Sequence, residues 1–171
     1  MKFLVISDIH GRDDLVRRAV LTHSDRDGII FLGDGANDID VGALTFGGRL
    51  FCGVRGNCDP TYVRAQNYDF DTELLLNMGE YNVIMMHGHL HGVKLGEERA
   101  VAYAAARGAD ILLYGHTHVP TESYYSEGKE IGGTVLKKPV WVMNPGALCL
   151  GSYGLLQIKG GNILLSHGSV K

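Results

Sequence analysis

Several features that mark specialised protein classes are absent from this chain of 171 residues. It has only three cysteines, an odd number, and no C-x-x-C pair, which argues against a disulfide framework and a zinc finger. No apolar run approaches the roughly 18 residues of a membrane span. The apolar run at 3–6 is also too short for the core of a signal peptide. We therefore expect reduced thiols, a cytoplasmic location and no membrane partner.

An excess of charge of one sign is also lacking. Sixteen basic and nineteen acidic residues leave a formal net charge of −3. This balance gives no strong footprint for nucleic-acid binding, which needs a basic surface. Glycine, in contrast, is abundant at 24 residues, which predicts many tight turns and close backbone approaches. The length, the 45% apolar content and the absence of a linker or repeat predict one domain over residues 1–171.

Short apolar runs alternate with helical patterns in an order typical of α/β proteins. A strand at 3–6, a helix at 13–24 and a strand at 28–32 predict a right-handed parallel crossover. The run at 3–6 is continuous rather than alternating, which indicates a strand covered on both faces. Further strands are predicted at 49–54, 110–114, 121–125, 140–143, 153–158 and 162–166, a hairpin at 73–78 and 82–86, and a helix at 96–107.

Residues with metal-binding side chains follow many of these strands where the strand ends. In α/β sheets ligands bind beyond the carboxyl ends of strands, so patches far apart in sequence could meet at one edge. In extended backbone, Asp8 and His10 would point the same way and could bind one ion. The candidate residues fall into five patches, at 8–10, 33–34, 56–57, 87–89 and 115–118. Each patch alone could be a turn or a cap, but five such patches at strand ends are improbable by chance. The candidate ligands are Asp8, His10, Asp34, Asn57, His87, His116 and His118.

This set consists of two carboxylates, four imidazoles and one amide. Nitrogen and oxygen ligands suit Mn²⁺, Fe, Ni²⁺ or Zn²⁺ and disfavour a structural thiolate site. The number of ligands is sufficient for two neighbouring divalent ions that share a bridging carboxylate. The set therefore predicts two divalent metal cofactors, with manganese as the first choice, and hydrolysis at phosphorus.

In this order the patches resemble the motifs of the calcineurin-like metallophosphoesterases, which are D-x-H, GD, GN, H and GH-x-H. The likeness is strongest to the small, single-domain prokaryotic phosphodiesterases of that family. It rests on N-C-D at 57–59, H-G-H at 87–89, Y-G-H-T-H at 114–118 and N-P-G at 144–146. The resemblance implies an α/β fold in which two β-sheets form a sandwich flanked by helices, in α-β-β-α layers, with the metals at one edge.

The resemblance also implies two ligand sets that share one carboxylate. The first set is Asp8, His10, Asp34 and His118. The second set is Asp34, Asn57, His87 and His116, with Asp34 bridging the two ions.

The hypothesis for catalysis is in-line attack on phosphorus by a hydroxide that the two metals share, without a covalent enzyme intermediate. Asp34 and Asn57 would take part as ligands, and His89 or a metal-bound water would protonate the leaving oxygen. Arg12 and Asn144 are candidates for contact with substrate oxygens. A solvated helix start is the alternative interpretation of Arg12, and it is slightly favoured.

Cys58 departs from the family pattern, because larger relatives carry a histidine after the GN motif. A thiol is a poor substitute for an imidazolium at neutral pH, so we expect weak activity on substrates with poor leaving groups. A small phosphodiester is the expected substrate. The alternatives are a phosphomonoesterase or a nuclease of the same family, or a scaffold that resembles a retromer subunit and has a vestigial metal site. Small relatives often self-associate, so a homo-oligomer is a further expectation of the resemblance.

Overall fold

Two five-stranded sheets form the framework of the computed structural model, which describes residues 1–63 and 68–170. In spatial order, sheet one contains β14 (Asn162–Ser169), β13 (Ser152–Lys159), β1 (Lys2–Ile6), β2 (Gly28–Phe31) and β3 (Leu50–Gly53). Sheet two contains β6 (Glu73–Met78), β7 (Tyr81–Met86), β8 (Ile111–Tyr114), β12 (Val140–Asn144) and β9 (Thr121–Tyr125).

Each sheet has a parallel centre and antiparallel neighbours. Strands β1, β2 and β3 run parallel, as do β7, β8 and β12. Strands β13, β14, β6 and β9 are added antiparallel. The parallel crossover and the hairpin expected from the sequence are therefore confirmed, and the carboxyl ends of the central strands lie at the same edge of each sheet.

The helices and the shorter elements connect these strands. The helices are α1 (Asp13–Thr22), α2 (Val41–Leu44) and α3 (Glu98–Ala106). Short ribbons pair β4 (Tyr62–Val63) with β5 (Tyr68–Asp69) and β10 (Glu130–Ile131) with β11 (Thr134–Val135). Single 3-10 turns lie at Ala36–Asp38, His89–His91, Val93–Leu95 and Leu148–Leu150.

Three apolar clusters show that the layers are helix, sheet, sheet and helix. One cluster fills the space between the two sheets and includes Phe3 and Val5 of β1. A second cluster packs α1 on the outer face of sheet one and includes Leu4 and Ile6 of the same strand. A third packs α3 on the outer face of sheet two. Strand β1 is thus buried on both faces, which accounts for its continuous apolar run and confirms the predicted sandwich.

Most differences from the sequence expectations lie at the ends of elements. Helix α3 starts at Glu98 rather than at residue 96, because Gly96 has a φ of 131°, which no helix can contain. Strand β14 is longer than expected and reaches Ser169. The two-residue strands of the ribbons and the four-residue α2 are too short to produce a periodic pattern, so they were not predicted. No described helix has the length and apolarity that crossing a membrane requires.

The packing between the sheets makes a test of the sandwich possible. Leu156 is fully buried between the sheets, whereas Leu164 on the neighbouring strand is 56% exposed. Leu156→Ala should lower the free energy of unfolding by about 2–5 kcal/mol, because it leaves a cavity. Leu164→Ala should change it by less than about 1 kcal/mol. Urea denaturation measures both values, and equal losses for the two variants would contradict the described packing.

Candidate metal centre

The candidate ligands converge at the carboxyl edge of the parallel strands. Asp8 follows β1, Asp34 follows β2, His87 follows β7 and His116 follows β8. Six of the seven form two compact groups, in which the potential ligand atoms all lie within 4.8 Å of one another. The groups are Asp8, His10 and His118, and Asp34, His87 and His116.

The first group surrounds one oxygen of a buried carboxylate. Asp8 is completely buried, and its Oδ1 lies 3.1 Å from Nε2 of His118 and 3.9 Å from Nε2 of His10. Its other oxygen, Oδ2, accepts hydrogen bonds from Oγ of Ser7 at 2.6 Å and from the backbone N–H of His116 at 3.1 Å. Oδ1 is buried but has no hydrogen-bond partner. A buried carboxylate oxygen in this position fits a cation held together with the two imidazoles.

The second group contains a histidine whose orientation is set by the backbone. Nδ1 of His87 lies 2.7 Å from the carbonyl oxygen of Leu32, and because a carbonyl can only accept, Nδ1 donates. This arrangement directs Nε2 toward Oδ2 of Asp34 at 3.3 Å and Nδ1 of His116 at 3.1 Å. A second-sphere carbonyl that fixes a histidine in this way is a common feature of metal sites.

The pKa values of the second group reflect this crowding. Burial raises the pKa of Asp34, but hydrogen bonds from His87 and the Cys58 N–H outweigh it and hold this pKa well below its usual range. Burial opposes the protonated form of His87, yet hydrogen bonding to Asp34 and the nearby carboxylates leave its pKa raised. Burial and the charge of His87 lower the pKa of His116 to about 4. The group thus holds an ionised Asp34 and a neutral His116, both of which suit metal binding, whereas His87 would have to release the proton on Nε2 to bind an ion.

The two groups are neighbours, since Nε2 of His87 lies 4.0 Å from Oδ1 of Asp8. Asp34 belongs to the second group, and its predicted bridging role stays a prediction. Asn57 is exposed, and its amide nitrogen donates to Sγ of Cys58 at 3.2 Å. Its role as a metal ligand stays a prediction. The backbone N–H of Cys58 donates to Oδ1 of Asp34 at 2.8 Å, so the 56–58 segment adjoins the second group.

Unusual backbone conformations coincide with the ligands. Among the described residues, every non-glycine residue with a positive φ is a candidate ligand. In the left-handed region an ordinary side chain costs roughly 1–2 kcal/mol, and such strain concentrates at functional sites. The expectation of extended backbone at Asp8 and His10 is therefore wrong, and left-handed turns bring their side chains together instead. These residues are Asp8 (φ 54°), His10 (φ 44°), Asp34 (φ 60°), His116 (φ 69°) and His118 (φ 62°).

The glycine before each of three ligands permits a close approach of loops. A Cβ at Gly56 would overlap the carboxylate of Asp34, and one at Gly115 would overlap Oγ of Ser7. A Cβ at Gly33 would meet the backbone of Gly56 and the ring of His87. The G-D, G-N and G-H dipeptides therefore follow from packing at the site, because only glycine leaves room for the neighbouring loop.

Asp59 supports the candidate site, and its place in the N-C-D string at 57–59 does not reveal this role. Its Oδ2 accepts the backbone N–H groups of Asp34 at 2.6 Å and Gly56 at 2.8 Å. Its Oδ1 accepts those of Gly35 and Ala36, both at 2.8 Å. One carboxylate thus ties the loop that carries Asp34 to the loop that carries Asn57. The N-C-D string contained it, but an acidic residue in a loop has no pattern that indicates such contacts.

The remaining candidates occupy different positions around the centre. The ring centroid of His89 lies 5.4 Å from that of His87 and 6.1 Å from that of His116, and its buried Nδ1 has no hydrogen-bond partner. Burial, with the charge of His87, lowers the pKa of His89. Arg12 is 47% exposed and forms an ion pair of 2.8 Å with Asp14. This pairing matches the alternative of a solvated helix start.

Asn144 is fully buried, and its side chain is engaged within the protein. Nδ2 donates to the carbonyl oxygen of Gly115 at 2.8 Å and to Oγ1 of Thr117 at 2.9 Å, and Oδ1 accepts from the N–H of Gly146 at 2.9 Å. Contact with substrate oxygens, as expected from the sequence, would require these bonds to break. The structure instead places Asn144 behind the turn at 115–118 as a supporting residue.

The arrangement agrees with comparisons to known proteins. The family model of the calcineurin-like phosphoesterase superfamily domain matches residues 1–160. The chain belongs to this superfamily. A probable metallophosphoesterase of Bacillus subtilis, YsnB, is 31% identical over 151 residues, which cover 88% of this chain and 76% of that protein.

Solved structures show the same fold. An archaeal phosphodiesterase has a TM-score of 0.67 at 19% identity, covering 98% of this chain and 99% of the other. The protein Vps29 of Entamoeba histolytica, complexed with Zn²⁺, has a TM-score of 0.64 at 19% identity, covering 99% of each chain. At these identities the likeness shows the fold, and the family assignment rests on the sequence matches.

Backbone strain at His10 can be tested because this residue is exposed. His10→Gly should be about 1 kcal/mol more stable than His10→Ala, since only glycine adopts a φ of 44° without penalty. Both variants lose the same imidazole, and urea denaturation with a chelator measures the difference. At Arg17, inside α1, the alanine variant should instead be more stable than the glycine variant. Equal stabilities at residue 10 would contradict the left-handed conformation.

The role of Asp59 can be tested without removing a ligand. Asp59→Asn keeps one acceptor oxygen but turns an amide N–H₂ toward two backbone donors. We expect roughly 10–100-fold weaker metal binding, as for other residues that support ligands. Asp40→Asn is the matched control, because Asp40 caps α2 and asparagine caps equally well. Isothermal titration with Mn²⁺ measures both variants, and wild-type affinity in Asp59→Asn would exclude this role.

Proposed function

We propose that this calcineurin-like phosphoesterase is a phosphodiesterase that uses two divalent metal ions to hydrolyse a small diester. The observation that carries the proposal is the convergence of six aspartate and histidine side chains into two adjacent groups, one of which surrounds Oδ1 of Asp8, a buried atom with no hydrogen-bond partner. Family membership supports phosphoester hydrolysis. The archaeal phosphodiesterase of the same fold supports a diester substrate.

Asp8, His10 and His118 would hold one ion, and Asp34, His87, His116 and Asn57 the other. Two divalent ions, when bound, supply positive charge opposite the phosphoryl oxygens and make water a better nucleophile. Nitrogen and oxygen ligands favour manganese in our proposal, with nickel, iron or zinc as alternatives. Vps29 of Entamoeba histolytica forms a complex with Zn²⁺, which shows that this fold accommodates a divalent metal.

The side chains of the chain itself would orient the ions and the substrate. The hydrogen bond from His87 to the Leu32 carbonyl keeps its Nε2 directed into the site. Hydrogen bonds to Oδ2 of Asp8 leave its Oδ1 as the atom that faces the imidazoles. His89 lies beside the second group, where we propose that it delivers a proton to the leaving oxygen. Because burial lowers the pKa of His89, its protonated form is the minor one at neutral pH but is the stronger acid. Burial and the neighbouring Asp34 raise the pKa of Cys58, so its thiol stays protonated and is a weak acid.

The proposed substrate is a small diester rather than a nucleic acid. A net charge of −3 offers no general attraction for a polyanion. The scaffold alternative is disfavoured because none of the aspartate or histidine ligands is replaced, and a vestigial site has no reason to retain five strained backbone positions. A cytoplasmic location, the absence of a membrane partner and homo-oligomer formation remain part of the proposal.

Asp34→Asn tests the proposal directly. Turnover of bis(p-nitrophenyl) phosphate should fall by more than about 100-fold, because loss of a ligand exceeds the effect of losing a supporting residue. Metal stoichiometry, measured by titration with Mn²⁺, Ni²⁺ and Zn²⁺, should fall with it. Asp25→Asn is the matched control, since Asp25 is an exposed partner of Lys2.

Three outcomes would contradict the proposal. Wild-type turnover in Asp34→Asn would exclude the assigned metal centre. A higher kcat/KM for p-nitrophenyl phosphate than for its diester in the wild type would favour a phosphomonoesterase. Metal binding without hydrolysis of either ester would favour the scaffold alternative.

A further inference from the structure

A histidine in the last strand contacts the backbone that supports the metal centre. Nε2 of His167, in β14, lies 2.7 Å from the carbonyl oxygen of Asn144, the last residue of β12. Because a carbonyl can only accept, Nε2 donates this hydrogen bond. Nδ1 of the same ring lies 3.1 Å from Oε1 of Glu122 in β9. His167 therefore joins sheet one to two strands of sheet two.

This contact depends on close packing where the two sheets meet. His167 pairs with Gly154 of β13, and a Cβ at Gly154 would meet the side chains of Met143 and Pro145. The end of β12 therefore rests directly on the backbone of β13, which brings Asn144 within reach of β14. Oγ of Ser152 donates to the carbonyl oxygen of Pro145 at 2.7 Å and holds the same segment.

The side chain of Asn144 in turn holds the turn at 115–118. Its Nδ2 donates to the carbonyl oxygen of Gly115 and to Oγ1 of Thr117, at 2.8 and 2.9 Å. Thr117 lies between His116 and His118, which have φ values of 69° and 62°. Since such conformations persist only where the surroundings enforce them, this turn needs support from outside itself.

Glu122 is the second residue that the ring of His167 contacts. It is the second residue of β9, the strand that begins just after residues 115–118. The ring of His167 thus contacts the strand that follows the turn and the residue that holds the turn. Both metal-ligand groups depend on this turn, because His118 belongs to the first group and His116 to the second.

We propose that His167 is a positioning residue of the metal centre, which holds Asn144 so that the 115–118 turn presents His116 and His118 to their ions. The proposal deepens the proposed function and rests on the metal centre described there. His167 lies beyond residues 1–160, the part of the chain that the family model matches.

Two amide substitutions separate positioning from general stability. In His167→Gln the side-chain nitrogen is as many bonds from Cβ as Nε2 of histidine, so it can still donate to the Asn144 carbonyl. In His167→Asn the amide is one bond too short to do so. We expect about tenfold weaker Mn²⁺ binding for His167→Asn and near wild-type binding for His167→Gln, measured by isothermal titration.

His23→Ala is the control, because His23 is similarly half-buried and its ring forms a hydrogen bond with the hydroxyl of Tyr153, which is not a candidate ligand. It should lose stability to urea without loss of Mn²⁺ affinity. Wild-type affinity in His167→Asn, or equal loss in the asparagine and glutamine variants, would overturn the proposal. Isothermal titration measures metal affinity without any need for enzymatic turnover, so the two proposals can fail independently. If the wild type hydrolyses no ester but His167→Asn still binds Mn²⁺ more weakly, the proposed function fails and the positioning role stands.

Discussion

The burial of two carboxylates is the constraint on which this structure depends most. Asp8 is 0% and Asp34 is 3% exposed, and a buried charge is tolerated only when it has hydrogen-bond or cationic partners. The backbone around them is arranged accordingly, with N–H groups of His116 and Cys58 directed at their oxygens. The remaining oxygen of Asp8 faces imidazoles. A divalent cation among these groups would supply the compensation that the protein atoms alone leave incomplete.

The loops around these carboxylates adopt strained backbone conformations that bring the candidate ligands together. Five of the candidate ligands have left-handed backbone, and the glycines that precede three candidates lack side-chain atoms that would separate the loops. Such loops do not hold themselves together. Asp59 joins two of them through four backbone N–H groups, and Asn144 holds a third. The support of the third loop ends in the two sheets, at Asn144 of β12 and His167 of β14.

The two sheets both carry the candidate ligands and support the loops in which those ligands lie. Their central parallel strands deliver the ligands to one edge, and their antiparallel additions, β9 and β14, come together behind the turn that carries two of the histidines. The contact of β14 with the end of β12 is possible only because Gly154 has no side chain at the junction. Supporting residues thus lie far along the chain from the ligands they position.

The local pattern of residues determined the main strands and helices and which residues are candidate ligands. The apolar run of β1 predicted a strand buried on both faces, and the order of aspartates, histidines and glycines at strand ends predicted the family and its ligands. Where a single residue broke the pattern, as Gly96 does before α3, the predicted boundary was displaced. These features could be predicted because periodicity and strand-end motifs are properties of neighbouring residues.

The tertiary structure alone decided how the ligands are oriented and what holds them. The left-handed turns at Asp8 and His10, the four backbone bonds of Asp59 and the contact of His167 with Asn144 have no local pattern. Asp59 reaches N–H groups more than twenty residues away, and His167 reaches a carbonyl 23 residues away. Hydrogen bonds of this kind depend on the distance between atoms in space. That distance is set only when the two sheets have packed and the loops at their common edge have been brought together.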